Sequence, residues 1–171
     1  MLIVGEDLID LIKKNDICSE NLYDVTCITL ELDEEIIKYK AGELLEYGKE
    51  IPKEWIISEK MDKNGIVLKP YECFLGCSNQ KINMPNGYFG LLQTKGSLAR
   101  LFVQIQCSDG QIDPGFRGKV TFEIINLSNC MIKLHKDQAV GNLYIFKTSN
   151  DKINDYLGKY CNSNKPTFYR K

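Results

Sequence analysis

The chain of 171 residues has one histidine and one tryptophan, and nowhere does it contain the spacing CxxC. With His135 alone, multi-histidine metal centres are excluded and any imidazole catalysis would rest on one residue. The surrounding "LHKDQ" reads as a solvated turn. Seven cysteines, at 18, 27, 73, 77, 107, 130 and 161, lack zinc-ligand spacing and partly sit in apolar runs. They read as reduced thiols of a cytoplasmic protein, with no protein-ligated zinc or other metal. No apolar run is long enough to span a membrane. The opening "MLIVGEDLIDLI" is too acidic, and its apolar run too short, for a signal peptide. The Walker spacing is absent, and so is any lysine/arginine stripe with interleaved aromatics, so neither a P-loop nor a nucleic-acid partner is expected.

What is present is an ordinary globular composition, 43% hydrophobic and 26% charged, which suits one domain with a real core. The net charge of −1 hides an asymmetry. Residues 1–60 hold 15 acidic and 7 basic residues, and residues 61–171 hold 8 and 15. A basic C-terminal portion without a stripe suits a compact polyanion such as a phosphorylated small molecule.

"GEDLIDLIKKN" (5–15) puts Leu8, Ile9, Leu11 and Ile12 on one helical face, with acids first and lysines last, and predicts a short N-terminal helix. Beyond it the period shifts towards two. Strands are expected over 24–32, 65–70, 71–77, 88–94, 101–107, 119–126, 130–135 and 140–147, separated by Gly, Pro, Asn and Asp. That close spacing predicts a sandwich or barrel. A brief helix is expected over 150–160.

"IDPGFRGKVTFEII" (112–125) joins a Pro-Gly turn to a β-prone run that carries a carboxylate, Glu123, at its centre. Thr121, Glu123 and Ile125 share one face of that strand. Glu123 is therefore either a surface or ion-paired glutamate, or a general base in a closed pocket. Arg100 in "TKGSLAR" is a candidate partner that would keep such a glutamate ionised, or else a surface arginine ending a turn. Lys95, Gly96 and Ser97 offer a lysine and a turn with free N–H groups, a plausible phosphate cradle. Asp113 either caps its own turn or holds a sugar hydroxyl. The final "KYCNSNKPTFYRK", with four basic residues and three aromatics in thirteen positions, reads as a frayed tail or as a flap over an anionic ligand.

Taken in order, these segments resemble dCTP deaminases of the trimeric dUTPase/dCTP deaminase superfamily. "KGSLAR" and "IDPGFRGKVTFE" are similar in sequence and spacing to the family's R-S-S-x-A-R and I-D-P-G-[FW]-x-G-x-[IVL]-x-L-E. "MLIVGEDLIDLI", "DVTCITLEL", "YECFLGCSNQKINMPNGYFGLL" and "KYCNSNKPT" resemble further family stretches, so the likeness runs along nearly the whole chain.

The resemblance implies a mostly β fold, a distorted jelly-roll-like β-barrel of the dUTPase-like type with a short N-terminal helix. It spans residues 1–171 as one domain, with 159–171 a tail closing over the nucleotide. It also implies a homotrimer with sites between subunits and metal-independent deamination of dCTP to dUTP and ammonia. Magnesium would be carried by the triphosphate, and no nucleic acid or membrane would take part. Glu123 would be the base and Arg100 its support. Lys95, Gly96, Ser97, Ser108, Asp109, Asp113, Phe116, Lys159, Tyr160 and Ser163 would bind substrate. Zinc-type deaminases need H-x-E and P-C-x-x-C, which this chain lacks.

Departures from the family pattern surround the phosphates. Lys95-Gly96 replaces Arg-Ser, Thr29 and Glu31 replace Asp and Arg, and Ser163 stands where glutamine is usual. Three alternatives follow: a bifunctional dCTP deaminase/dUTPase, a dUTPase, or a catalytically impaired nucleotide-binding relative.

Overall fold

The computed structural model describes residues 1–19, 22–150 and 156–171. Helix α1, Glu6–Asn15, buries Leu8, Leu11 and Ile12, with Glu6 and Asp7 in its first turn and Lys13 and Lys14 in its last. Those charges oppose the helix dipole at each end. Asp16, in the left-handed conformation, ends the helix by donating its N–H to the Ile12 carbonyl.

Twelve strands follow: β1 Tyr23–Asp24, β2 Cys27–Glu31, β3 Glu35–Tyr39, β4 Ile56–Lys60, β5 Ile66–Leu68, β6 Cys73–Asn83, β7 Tyr88–Thr94, β8 Val103–Gln104, β9 Gln111–Ile112, β10 Arg117–Asn126, β11 Ile132–Leu134 and β12 Ala139–Lys147. A one-turn helix, α2 Gly96–Ala99, stands where the sequence predicts a turn. One sheet runs β1-β2-β12-β7-β9, a second β4-β3-β6-β10-β8, and a small third joins β11 to β5. Neighbouring strands pair antiparallel throughout.

The expected barrel is not formed. Both five-stranded sheets stay open, ending at β1 and β9 in one and at β4 and β8 in the other. The edges explain this. β1, β8 and β9 are two residues long, and four of the five β4 residues are exposed, three of them polar or charged. Short or charged edges offer little backbone for a further pairing. The two sheets instead share one core, with Ile28, Leu30, Leu92, Leu143 and Ile145 from the first and Phe74, Ile82, Val120, Phe122 and Ile124 from the second. Gly141 of β12 lets the chain just beyond β8 pack closely, because a Cβ there would stand 2.7 Å from Ile105 Cδ1. Each fully buried aliphatic side chain contributes roughly 1.5–3 kcal/mol.

β10 positions the site. Its residues alternate, with Gly118, Val120, Phe122, Ile124 and Asn126 buried and Lys119, Thr121, Glu123 and Ile125 half-buried. At its end, the fully buried Asn126 donates to the carbonyls of Leu68, Lys69 and Cys130 and accepts from the Ser128 N–H and hydroxyl. That satisfied polar plug fixes the strand against the small sheet. The expected helix over 150–160 falls partly on residues 151–155, outside the described residues, and Tyr156–Tyr160 is not helical.

Candidate functional site

Glu123 sits on the half-buried face of β10, with its N–H donating to the Ile105 carbonyl at 2.8 Å. One carboxylate oxygen, Oε2, accepts from the Ser108 N–H at 2.8 Å, the Ser108 hydroxyl at 3.0 Å and the Asp109 N–H at 3.4 Å. Among the described residues the glutamate forms no ion pair, and its carboxylate is engaged by these hydrogen bonds. It is held by the loop that leads from β8 to β9, two of whose donors are backbone N–H groups, as at a backbone anion site.

A cleft of about 740 Å³ opens beside it. Its wall includes Ser108, Asp109, Asp113, Phe116 and Glu123 together with Tyr160 from the C-terminal segment. Six residues expected at the site are therefore brought together. The Phe116 ring packs against Tyr156, 6.4 Å between centroids, and the Tyr156 N–H donates to the Pro114 carbonyl at 2.9 Å. Burial, with the Asp113 charge nearby, raises the Tyr156 phenol above its ordinary value.

The C-terminal segment is laid along the fold. Gly118, at φ +133°, lets Ser163 approach so closely that a Cβ would stand 2.9 Å from Ser163 N. Asn162 N–H donates to the Arg117 carbonyl, and Lys119 N–H to the Ser163 carbonyl. The Ser163 hydroxyl turns instead to the Lys165 carbonyl at 2.6 Å. Pro166 and Thr167 are buried, and Tyr169 N–H donates to the Tyr39 hydroxyl at 3.0 Å. Lys159 donates to the Arg170 carbonyl and lies 5.5 Å from the ring centroids of Tyr160 and Tyr169.

Lys95, Gly96, Ser97 and Arg100 are not on the cleft wall. They belong to α2 and its ends. Arg100 is exposed there and donates from Nη1 to the Gly96 carbonyl at 2.9 Å, with no contact to Glu123. His135 lies at the end of β11 with its N–H donating to the Gln138 side chain, and it takes no part in the cleft.

Several cleft residues carry no motif in the sequence. Lys119 lines it and is ion-paired with Asp33, which is 6% exposed and also accepts from the Glu34 N–H. Cys77, fully buried beside Asp33, has its thiol pushed up to about 12 by that burial and by the neighbouring carboxylate. Thr121, Tyr39, Tyr156 and Thr167 also line the cleft. Alternation along β10 could have nominated Thr121. Lys119 shares that face four residues before Glu123, whereas Tyr39, Tyr156 and Thr167 lie 33 or more residues from Glu123 in the chain, where no local pattern announces them. Among the described residues, no group of His, Cys, Asp and Glu could hold a metal ion, and no helix is long and apolar enough to cross a membrane.

Known proteins resemble the chain as follows. A family model described as dCTP deaminase-like matches residues 3–148. A "dCTP deaminase, dUMP-forming" of Thermobifida fusca is 36% identical over 97 residues, covering 57% of this chain and 50% of that protein. One of Corynebacterium kroppenstedtii is 36% identical over 114 residues, covering 64% of this chain and 61% of that protein. The chain thus spans between half and about three fifths of the length of these relatives. In fold it is similar to the 2′-deoxycytidine 5′-triphosphate deaminase of Agrobacterium tumefaciens, with TM-score 0.65 over 84% of this chain and 47% of that one, at 12% identity. These relatives correct the expectation that dUTP is the product, because they are named for forming dUMP.

Proposed function

The chain belongs to the dCTP deaminase-like family, within the trimeric dUTPase/dCTP deaminase superfamily, and we propose that it converts dCTP to dUMP, ammonia and pyrophosphate. The observation that carries this reading is Glu123 in the cleft, with one oxygen engaged by Ser108 and Asp109 and the other free of partners among the described residues.

Two waters are consumed. One attacks C4 of the cytosine, giving up a proton to Glu123. The carboxyl then returns that proton to the departing amine, which leaves as ammonia. The second water cleaves the α–β phosphoanhydride, leaving dUMP and pyrophosphate. General-base action of this kind is worth about 10²–10⁴-fold. Asp113 takes the sugar 3′-hydroxyl and Phe116 packs on the deoxyribose. Lys95, Gly96, Ser97, Lys159, Tyr160 and Ser163 hold the triphosphate, which brings its own magnesium. Residues 159–171 close over it.

Arg100 is exposed and outside the cleft of its own chain, so in this reading a homotrimer completes the site, with Arg100 of a neighbouring copy reaching Glu123. A second reading, nucleotide binding without turnover, is favoured by Gly96, which supplies no hydroxyl and has the Arg100 guanidinium 3.3 Å from where a Cβ would stand.

One assay separates them. dCTP and dUTP are offered in turn, and ammonia, pyrophosphate and the nucleotide product are followed. Equal amounts of ammonia, pyrophosphate and dUMP from dCTP are expected. Ammonia with dUTP accumulating, or pyrophosphate from dUTP alone, would overturn the dUMP-forming reading. Tight binding without product would favour the impaired relative.

A further inference from the structure

We propose that Ser108 is a positioning residue for Glu123, fixing which carboxylate oxygen takes the proton; this rests on the reading of Glu123 as the base. All three donors to Oε2 come from two consecutive residues. Two of them are backbone N–H groups, so only the Ser108 hydroxyl, 3.0 Å away, depends on the side chain at that position. Among the described residues Oε1 accepts no hydrogen bond. With the lone pairs of Oε2 committed, the proton from water goes to Oε1, whose orientation the opposite oxygen sets.

The loop is held firmly enough to do this. Leu92 N–H donates to the Gly110 carbonyl at 2.7 Å, and a Cβ on Gly110 would stand 2.8 Å from the Leu92 carbonyl oxygen, so β7 presses directly on the loop. Asp109 Oδ1 accepts from the Gln111 N–H at 3.0 Å, which turns the chain back just beyond the donors. On the other side, Thr94 and Gln106 share a side-chain hydrogen bond of 2.7 Å, and the Thr94 hydroxyl accepts from the Ile105 N–H at 3.1 Å. Donors fixed before the reaction need no reorganisation during it.

The test is steady-state ammonia release by the full chain, comparing wild type, Ser108→Ala and Ser108→Thr, with thermal melting of each. Loss of a hydrogen bond to a charged group is expected to lower kcat by roughly tenfold or more in Ser108→Ala. The KM for dCTP should stay within about twofold, the value for an interaction made with Glu123 and not with substrate. Threonine keeps the hydroxyl and should restore most of kcat. A wild-type kcat in Ser108→Ala overturns the positioning role, as does a raised KM at constant kcat or a failure of threonine to restore activity. If the wild type itself releases no ammonia, the base reading falls and the positioning role falls with it. An active wild type beside an indifferent Ser108→Ala removes only the latter.

Discussion

Thr121 and Thr167 are joined twice: their hydroxyls lie 2.9 Å apart, and the Thr167 N–H donates to Thr121 Oγ1 at 3.1 Å. Thr121 stands two residues before Glu123 on the same face of β10. This pair therefore ties the C-terminal segment directly to the strand that carries the glutamate.

Removing the tie should free the segment. Two hydrogen bonds of about 1 kcal/mol each correspond to a roughly tenfold to thirtyfold larger open population. Thr121→Val is expected to speed tryptic cleavage after Lys159 by a factor of that order. It should raise the KM for dCTP more than it lowers kcat. Cleavage at the wild-type rate would show that the segment is held elsewhere.

The cysteines give a footprint of the cleft. Cys73, Cys107 and Cys130 are exposed, and the first two line the cleft. Burial and the Asp16 charge push Cys18 up to about 12, and burial with Asp33 does the same for Cys77. The thiolate is the reactive form. At pH 8, alkylation followed by mass spectrometry should modify Cys73, Cys107 and Cys130 and spare Cys18 and Cys77. Saturating dCTP with magnesium should protect Cys73 and Cys107 and leave Cys130 reactive. Equal labelling of all three with and without nucleotide would place the nucleotide outside the cleft.

Much of this fold is legible in the sequence. α1 keeps its expected limits to within a residue, because its apolar residues recur at helical spacing, and Tyr88–Thr94 forms as read as a short apolar, aromatic-bearing run. Glu35–Tyr39 and Ile56–Lys60 escape notice, since charges interrupt their alternation. Leu101 and Phe102 look like strand but turn, with Phe102 at φ 58° and only Val103–Gln104 extended. Closure into a barrel depends on the edges, and no local pattern shows that three of them are two residues long.

The site was half legible. Glu123 stands out as a carboxylate in a β-prone run, but its donors lie 15 and 14 residues earlier and reach it only through a sheet-edge loop. "KGSLAR" is one continuous motif, yet it folds as an exposed turn of helix away from its own cleft. In the proposed homotrimer, its relation to Glu123 would arise only on assembly, which a one-chain pattern does not encode.

Acid stability should carry the mark of Glu34. Hydrogen bonds from Lys60 and Lys136, with their charges, hold its carboxyl down to about 2. A carboxylate depressed on folding stabilises the protein above its unfolded value, about 4.3, and loses that contribution as pH falls towards its folded value. Denaturation curves of the wild type should therefore steepen between about pH 5 and 2 relative to Glu34→Gln. The exposed pairs should lose this difference at 1 M salt. Identical acid limbs for the two proteins at low salt would contradict the assignment.

Glu123→Gln tests the central claim most directly. Glutamine is nearly isosteric and can still accept from Ser108 and Asp109, but it cannot take a proton from water. Single-turnover ammonia release from dCTP, measured beside dCTP affinity, should fall by at least ~10²-fold while affinity changes little. Release at the wild-type rate would contradict a catalytic role for Glu123 and leave it a strand residue held in place by its neighbours.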